Sequence, residues 1–224
     1  MFSKLKAELD AVMARDPAAR SRAEVYFLYS GFKAVRSYRK ANWFFRHNMK
    51  FIARYISQRA RRKTGIEIHP GATIGKNLFI DHGMGVVIGE TTVIGETTVI
   101  GSHVKLYQGV TLGGTGKDQG KRHPTLGNDV LVGAGAKVLG PFRVGDNARV
   151  AAGAVVLDAV PDNATAVGVP ARIVRVAASR AVLAEVKANK ELIGLVERML
   201  DQARSAFSQH QEQASRDALL SRLT

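Results

Sequence analysis

Cysteine is absent from the 224 residues, which excludes disulfides, thiolate metal sites and a cysteine nucleophile. Long apolar runs are absent too. No stretch approaches the roughly 18–20 residues of a membrane span, and Met1-Phe2-Ser3-Lys4-Leu5-Lys6-Ala7-Glu8 lacks the apolar core of a signal peptide. A soluble cytoplasmic protein is expected. Acidic residues are in deficit, 19 against 33 Lys and Arg, and the deficit is local. Residues 1–64 hold 16 Lys/Arg against 4 Asp/Glu, residues 65–175 hold 10 against 9, and residues 176–224 hold 7 against 6. No zinc-finger spacing or RNA-recognition signature accompanies the basic excess. It reads as solvated helix surface whose field also attracts anionic ligands; neither nucleic acid nor membrane is an expected partner.

Glycine is scarce at both ends. Residues 1–64 contain only Gly31, and Val25, Leu28, Phe32 and Val35 recur at helical spacing, as do Trp43, Phe44 and Phe51. Asp16-Pro17 reads as an N-cap and first helical residue. Residues 1–64 are therefore expected to form an N-terminal α-helical domain. From 176 to 224, Val182, Val186, Ile193, Val196, Leu200 and Ala203 mark a C-terminal amphipathic helical tail, suited to packing on the central domain or on a partner chain.

Between them, residues 65–175 carry a beat of six. Branched aliphatics fall at Ile68, Ile74, Ile80, Ile94, Ile100, Leu106 and Leu112, then at Leu126, Val132, Val138, Val144, Val150 and Val156. A period of six matches neither a helix nor an ordinary strand; it predicts a mainly β fold, a left-handed parallel β-helix of hexapeptide repeats. Two steps, Ile80 to Ile94 and Leu112 to Leu126, are 14 residues long where unbroken hexads give 12. The first break holds Asp81-His82-Gly83-Met84-Gly85, the second Gly113-Gly114-Thr115-Gly116-Lys117 and Lys121-Arg122-His123-Pro124. Irregularities that carry ionisable side chains on a rigid scaffold point to chemistry.

Such a prism has three possible uses. A filament or ice-binding face would need a long threonine array, but Gly89-Glu90-Thr91-Thr92-Val93-Ile94 recurs only once, as Gly95-Glu96-Thr97-Thr98-Val99-Ile100. A histidine metal site would draw on His69, His82, His103 and His123, none of them closely spaced, where zinc needs three or four convergent ligands. Acyl transfer from a thioester needs a base to activate a hydroxyl, and His82 beside Asp81 suits that role. His69, before Pro70, reads as structural, and His103 is assigned nothing.

The blocks Gly65-Ile66-Glu67-Ile68-His69-Pro70-Gly71-Ala72, Asp81-His82-Gly83-Met84-Gly85, Gly109 to Lys117, Lys121-Arg122-His123-Pro124 and Gly168-Val169-Pro170-Ala171-Arg172 together resemble serine O-acetyltransferase, over roughly residues 14–175. The resemblance implies transfer of acetyl from acetyl-CoA to the hydroxyl of L-serine, giving O-acetylserine at the first step of cysteine biosynthesis, with no metal. It implies His82 as base, Glu67 as its orienting acid, Asp16 and Asp81 on the serine amino group, and Arg122 with His123 on its carboxylate. Thr115, Ala134 and Ala152 fall where the family holds the pantetheine arm of acetyl-CoA, in a groove between two prisms, with Arg149, Lys137 and Arg172 as phosphate neighbours. A hexapeptide acetyltransferase with a sugar or amine acceptor, and a non-catalytic β-helix assembly protein, remain as alternatives.

Three departures qualify the match. The Gly-Glu-Thr-Thr-Val-Ile duplication adds one hexad between His82 and Val110; built into the prism, it would rotate everything downstream by a third of a turn. The helical domain is short, so a homotrimer is expected, with a dimer of trimers left open. The chain closes in Leu219-Leu220-Ser221-Arg222-Leu223-Thr224 rather than the family's isoleucine-ended tail, which weakens a partnership with cysteine synthase (O-acetylserine sulfhydrylase).

Overall fold

The computed structural model describes residues 2–89, 98–114, 121–176 and 191–200 together with Gln202. Its centre is a three-faced parallel β-helix. Face I stacks Glu67–Ile68, Val87–Ile88, Thr111–Gly113, Lys137–Leu139 and Val155–Val156. Face II stacks Thr73–Ile74, Val99–Ile100, Thr125–Leu126 and Arg143–Val144, and face III stacks Phe79–Ile80, Lys105–Leu106, Leu131–Val132, Arg149–Val150 and Ala164–Gly168. The second residue of each strand pair points inward. Ile68, Ile88, Leu112, Val138 and Val156 thus form one buried column, beside Ile100, Leu126 and Val144 on face II and Ile80, Leu106, Val132 and Val150 on face III. Burying columns of like side chains, at roughly 1.5–3 kcal/mol each, is what makes two-residue strands sufficient.

One step of the beat is corrected. Ile88, not Ile94, fills the face I column, paired with Ile68 above and Leu112 below; Ile94 lies outside the described residues. The step from Ile80 to Ile88 is eight residues and that from Ile88 to Ile100 is twelve, so the duplicated hexad falls wholly between faces I and II. Ile100 nevertheless pairs in register with Ile74 and Leu126. The rotation that a built-in hexad would impose on the downstream prism does not occur, because pairing between coils, not residue count, fixes the phase.

Each corner has its own chemistry. Between faces II and III the chain turns through left-handed residues, Asn77, His103, Asp129, Asn147 and Asn163, with φ of 57°, 61°, 56°, 57° and 58°. After glycine, Asn and Asp tolerate this region best, and His103 is simply the member of that column in its coil. Between faces III and I the equivalent positions are Gly85, Gly109, Gly135 and Gly153.

Four helices close the top of the prism: α1 (Phe2–Met13), α2 (Arg22–Leu28), α3 (Ser30–Arg46) and α4 (Lys50–Thr64). The first coil has no coil above it to satisfy its carbonyls, and helix side chains replace the missing donors. Ser57 Oγ donates to Ile68 O at 2.7 Å, Asn42 Nδ2 to Pro70 O at 2.8 Å and the Tyr38 hydroxyl to Ala72 O at 2.5 Å. Gly31 lies against the backbone of Ile80, where a Cβ would collide with the Ile80 carbonyl. A second core of Leu9, Val12, Val25, Phe32 and Phe79 ties α1 and α2 to face III. Asp16-Pro17 does not start a helix: Asp16 Oδ1 accepts from the Ala18 amide at 2.9 Å in a turn, and Ser21 caps α2 instead, accepting from Glu24 N. Gly65, at φ 70°, ends α4.

At the other end the hexads stop at Val156. Ala164–Gly168 pairs with Arg149–Val150, and Ala171–Val176 returns antiparallel to it. Residues 178–224 form a separate unit in which 191–200 are helical. Leu192, Ile193, Leu195, Val196, Met199 and Leu200 are all exposed there, so Ile193, Val196 and Leu200 are not buried; Val182, Val186 and Ala203 lie outside the described residues. No described helix is long and apolar enough to cross a membrane.

Candidate active site

The corner from face III to face I is widest in the first coil, where Asp81-His82-Gly83-Met84-Gly85 adds two residues. His82 takes the left-handed conformation, φ 56°, and its side chain is 73% exposed. Its Nε2 lies 3.9 Å from Asp81 Oδ1, while Asp81 Oδ2 accepts from Lys105 Nζ at 3.0 Å. Lys105 stands directly below Phe79 on face III, 5.0 Å from its ring and 4.5 Å from that of Tyr107. Burial opposes the lysine charge, but hydrogen bonds to Tyr107 and Asp81 outweigh it and raise its pKa.

The turn after α1 brings Asp16 to the same place. Tyr29 donates to Asp16 Oδ2 at 2.7 Å. That bond, with the Ala18 amide, holds the Asp16 carboxyl below its ordinary value, and the nearby charges of Lys105 and His82 act in the same direction. Burial and the bond to Asp16 push the Tyr29 hydroxyl up to about 12, so it remains a donor at neutral pH. An exposed imidazole is thus flanked by two carboxylates, each held by a neighbour.

Other expected residues lie elsewhere. Glu67 is engaged by Arg61, with Arg61 Nε 3.2 Å from Glu67 Oε2, and makes no hydrogen bond or ion pair with His82. Arg122 and His123 belong to the opposite corner, between faces I and II. There His123 is buried against Gly89, where a Cβ would collide with the imidazole. Gly85 and Gly89 are four residue steps apart along face I, about 13 Å of extended chain, too far for one serine to bridge. Ala134 and Ala152, by contrast, follow His82 down its own edge, and the Gly153 amide donates to Ala134 O at 2.8 Å. Their own amide nitrogens donate to no backbone carbonyl among the described residues. Arg149 is exposed on face III two coils below Lys105. Arg172 lies on the antiparallel return strand, exposed and opposite Val167. Lys137, half-buried on the outer side of face I, is tied to the coil above, donating to Gly109 O at 2.7 Å and Thr111 Oγ1 at 3.2 Å. Thr115 lies outside the described residues.

Lys105, Tyr29 and Gly89 were not anticipated. Lys105 precedes the inward Leu106 and so had to face outward one coil below Phe79; the beat alone contains that signal. Tyr29 has no such signal, because its place depends on how α1 and α2 dock. Among the described residues no group of three or more His, Asp or Glu is placed to hold a metal ion.

A prism of hexads with a basic side chain at one widened corner defines a hexapeptide-repeat transferase. The profile "Bacterial transferase hexapeptide (six repeats)" matches residues 123–158. The serine acetyltransferase of Helicobacter pylori strain J99 is 58% identical over 170 residues, covering 76% of this chain and 96% of that protein. The crystal structure of Brucella abortus serine acetyltransferase in complex with coenzyme A has a TM-score of 0.72 at 42% identity, covering 78% of this chain and 67% of that one. The Neisseria gonorrhoeae serine acetyltransferase in complex with serine has a TM-score of 0.70 at 38% identity, covering 76% and 67%. The chain belongs to the serine acetyltransferase family of acyltransferases.

Proposed function

We propose that this enzyme transfers the acetyl group of acetyl-CoA to the hydroxyl of L-serine, giving O-acetylserine and free CoA. The observation that carries the reading is His82, held out on a left-handed corner with Asp81 and Asp16 beside it. The imidazole takes the serine hydroxyl proton as the oxygen attacks the thioester carbonyl, then returns it to the departing CoA sulfur. Asp81, 3.9 Å from His82 Nε2, is the carboxylate that faces the imidazolium as it forms, while Glu67 is engaged by Arg61. Asp16, ionised and open on one side, suits the serine ammonium. The free amides of Ala134 and Ala152 line the way down the same edge for the pantetheine arm, with Arg149 beyond for phosphate. Relatives crystallised with coenzyme A and with serine support the substrate pair.

Arg122 and His123, at the other corner of face I, would serve the serine carboxylate in a site shared between neighbouring copies. A cyclic trimer brings one corner of each prism to the opposite corner of the next and completes three sites at once. We place the enzyme in the cytoplasm, where both substrates are made.

A second reading rests on Lys105. Its ammonium already occupies Asp81, where a substrate ammonium is expected, which favours an acceptor without one. Following CoA thiol release with serine and with a panel of sugars and amines separates the two. Serine-dependent release is expected; release with sugars alone would replace serine as the acceptor.

A further inference from the structure

The basic helices play no part in this chemistry, although many of their cations have partners. Arg22 binds Asp10, Arg39 binds Glu8, Arg61 binds Glu67, and Arg15 donates to the carbonyls of Asn77 and His103. A different set lines a cleft of about 630 Å³ beside α3 and α4: Lys33, Arg36 and Lys40 from one helix, Arg59 and Lys63 from the other. No acidic residue lines this cleft, and among the described residues none of the five cations makes an ion pair. Arg36 and Lys40, like Arg59 and Lys63, stand four apart, an arrangement of like charges that disfavours a helix. Lys33 donates to Phe27 O at 3.2 Å and Arg36 lies 4.8 Å from the Tyr26 ring, contacts that leave the charges in place; five cations without an acidic partner in one concavity gain stability from an anion that enters it.

The shape narrows the anion. The volume is that of a small-molecule site, within about 300–1,000 Å³. The cations come from two facing helices, whereas a bilayer or a duplex would meet cations spread over one outer surface. Lys33 to Lys40 spans about 10 Å of helix, enough for consecutive phosphoryl groups. The wall also includes Tyr26 and Phe27, packed edge to face at 4.8 Å, and Phe27 is 67% exposed. An open aromatic face beside phosphate-binding cations suits a planar heterocycle.

We propose that the cleft between α3 and α4 binds a nucleoside di- or triphosphate, at a site separate from the His82 corner. Calorimetric titration of the full chain with ADP, pyrophosphate and adenosine tests it. ADP should bind more tightly than pyrophosphate, adenosine not measurably, and ADP affinity should fall as salt rises from about 50 to about 200 mM. Lys40 and Lys63 make no hydrogen bond or ion pair with the described residues, so Lys40→Glu with Lys63→Glu should fold. This variant should lose about tenfold or more in ADP affinity while serine-dependent CoA release stays within about twofold. Phe27→Ala should weaken ADP but not pyrophosphate. ADP binding unchanged in the double variant would mean that ADP occupies only the acetyl-CoA groove, and would overturn the proposal. So would no ADP binding at all, or binding of a 20-nucleotide RNA or anionic vesicles by a protein that ignores ADP.

Discussion

At the corner that carries His82, backbone and chemistry are linked. A left-handed histidine costs about 1–2 kcal/mol relative to a relaxed backbone, and the corner stays at positive φ through Gly83 and Gly85, at 82° and 75°, where glycine carries no Cβ penalty. Removing a positioned base should reduce turnover about 10²–10⁴-fold; His82→Ala is expected to do so with coenzyme A affinity unchanged, and near-normal turnover would remove His82 from the mechanism. The Tyr29–Asp16 bond makes a prediction in pH. Asp16 has a lowered folded pKa, so its contribution is complete above the ordinary aspartate value and is lost as pH falls through the folded one. Tyr29→Phe should therefore lower stability by about 1 kcal/mol at neutral pH, with the gap to the native protein closing in acid below about pH 4. Denaturant melts across that range check it, and a gap independent of pH would contradict it. His82 and Asp81 were legible because they are adjacent in sequence and fall in a break. Glu67 was assigned from family resemblance, and that assignment did not anticipate Arg61, which approaches it from a helix.

The beat of six made nearly every strand legible, because each inward position needs an aliphatic and little else. It misplaced one strand, choosing Ile94 over Ile88, since Ile88, Ile94 and Ile100 all fall on the six-residue beat and only coil-to-coil pairing selects which of them enters the face I column. How the helices dock was less visible. Gly31 stood out as the only glycine in its segment, and the reason is the backbone of Ile80 against it. Gly31→Ala should gain up to about 1 kcal/mol of helix propensity yet lose more to overpacking, about 1–3 kcal/mol. A net fall of several degrees in Tm is expected, and a rise would show that α3 does not seat there.

Across the whole molecule, the two halves of the proposed site, His82 and Arg122 with His123, occupy different corners of face I. If neighbouring copies complete it, His82→Ala and Arg122→Ala chains, each nearly inactive alone, should recover activity when coexpressed. Random mixing leaves about a quarter of the shared sites with both native groups. No recovery in mixed oligomers would place the whole site within one chain. The retained phase makes a second prediction. Deleting residues 95–100 leaves the same sequence as deleting 89–94, and the prism already runs in register across the duplication. Serine acetylation by the shortened chain should therefore stay within about threefold of the native rate, well short of the tenfold per 1.4 kcal/mol that a displaced group would lose. A loss of a hundredfold would show that the longer connection serves the site.

The ends of the prism bear on how copies can meet. Stacked coils are an open-ended design, and a parallel edge left bare can template the first coil of another molecule. Here the upper carbonyls of the first coil are taken by Ser57, Asn42 and Tyr38. The lower edge of face III meets a strand running the other way. Neither of these edges offers a parallel register for a newcomer, which disfavours fibre-like growth along the axis and favours copies that associate side by side.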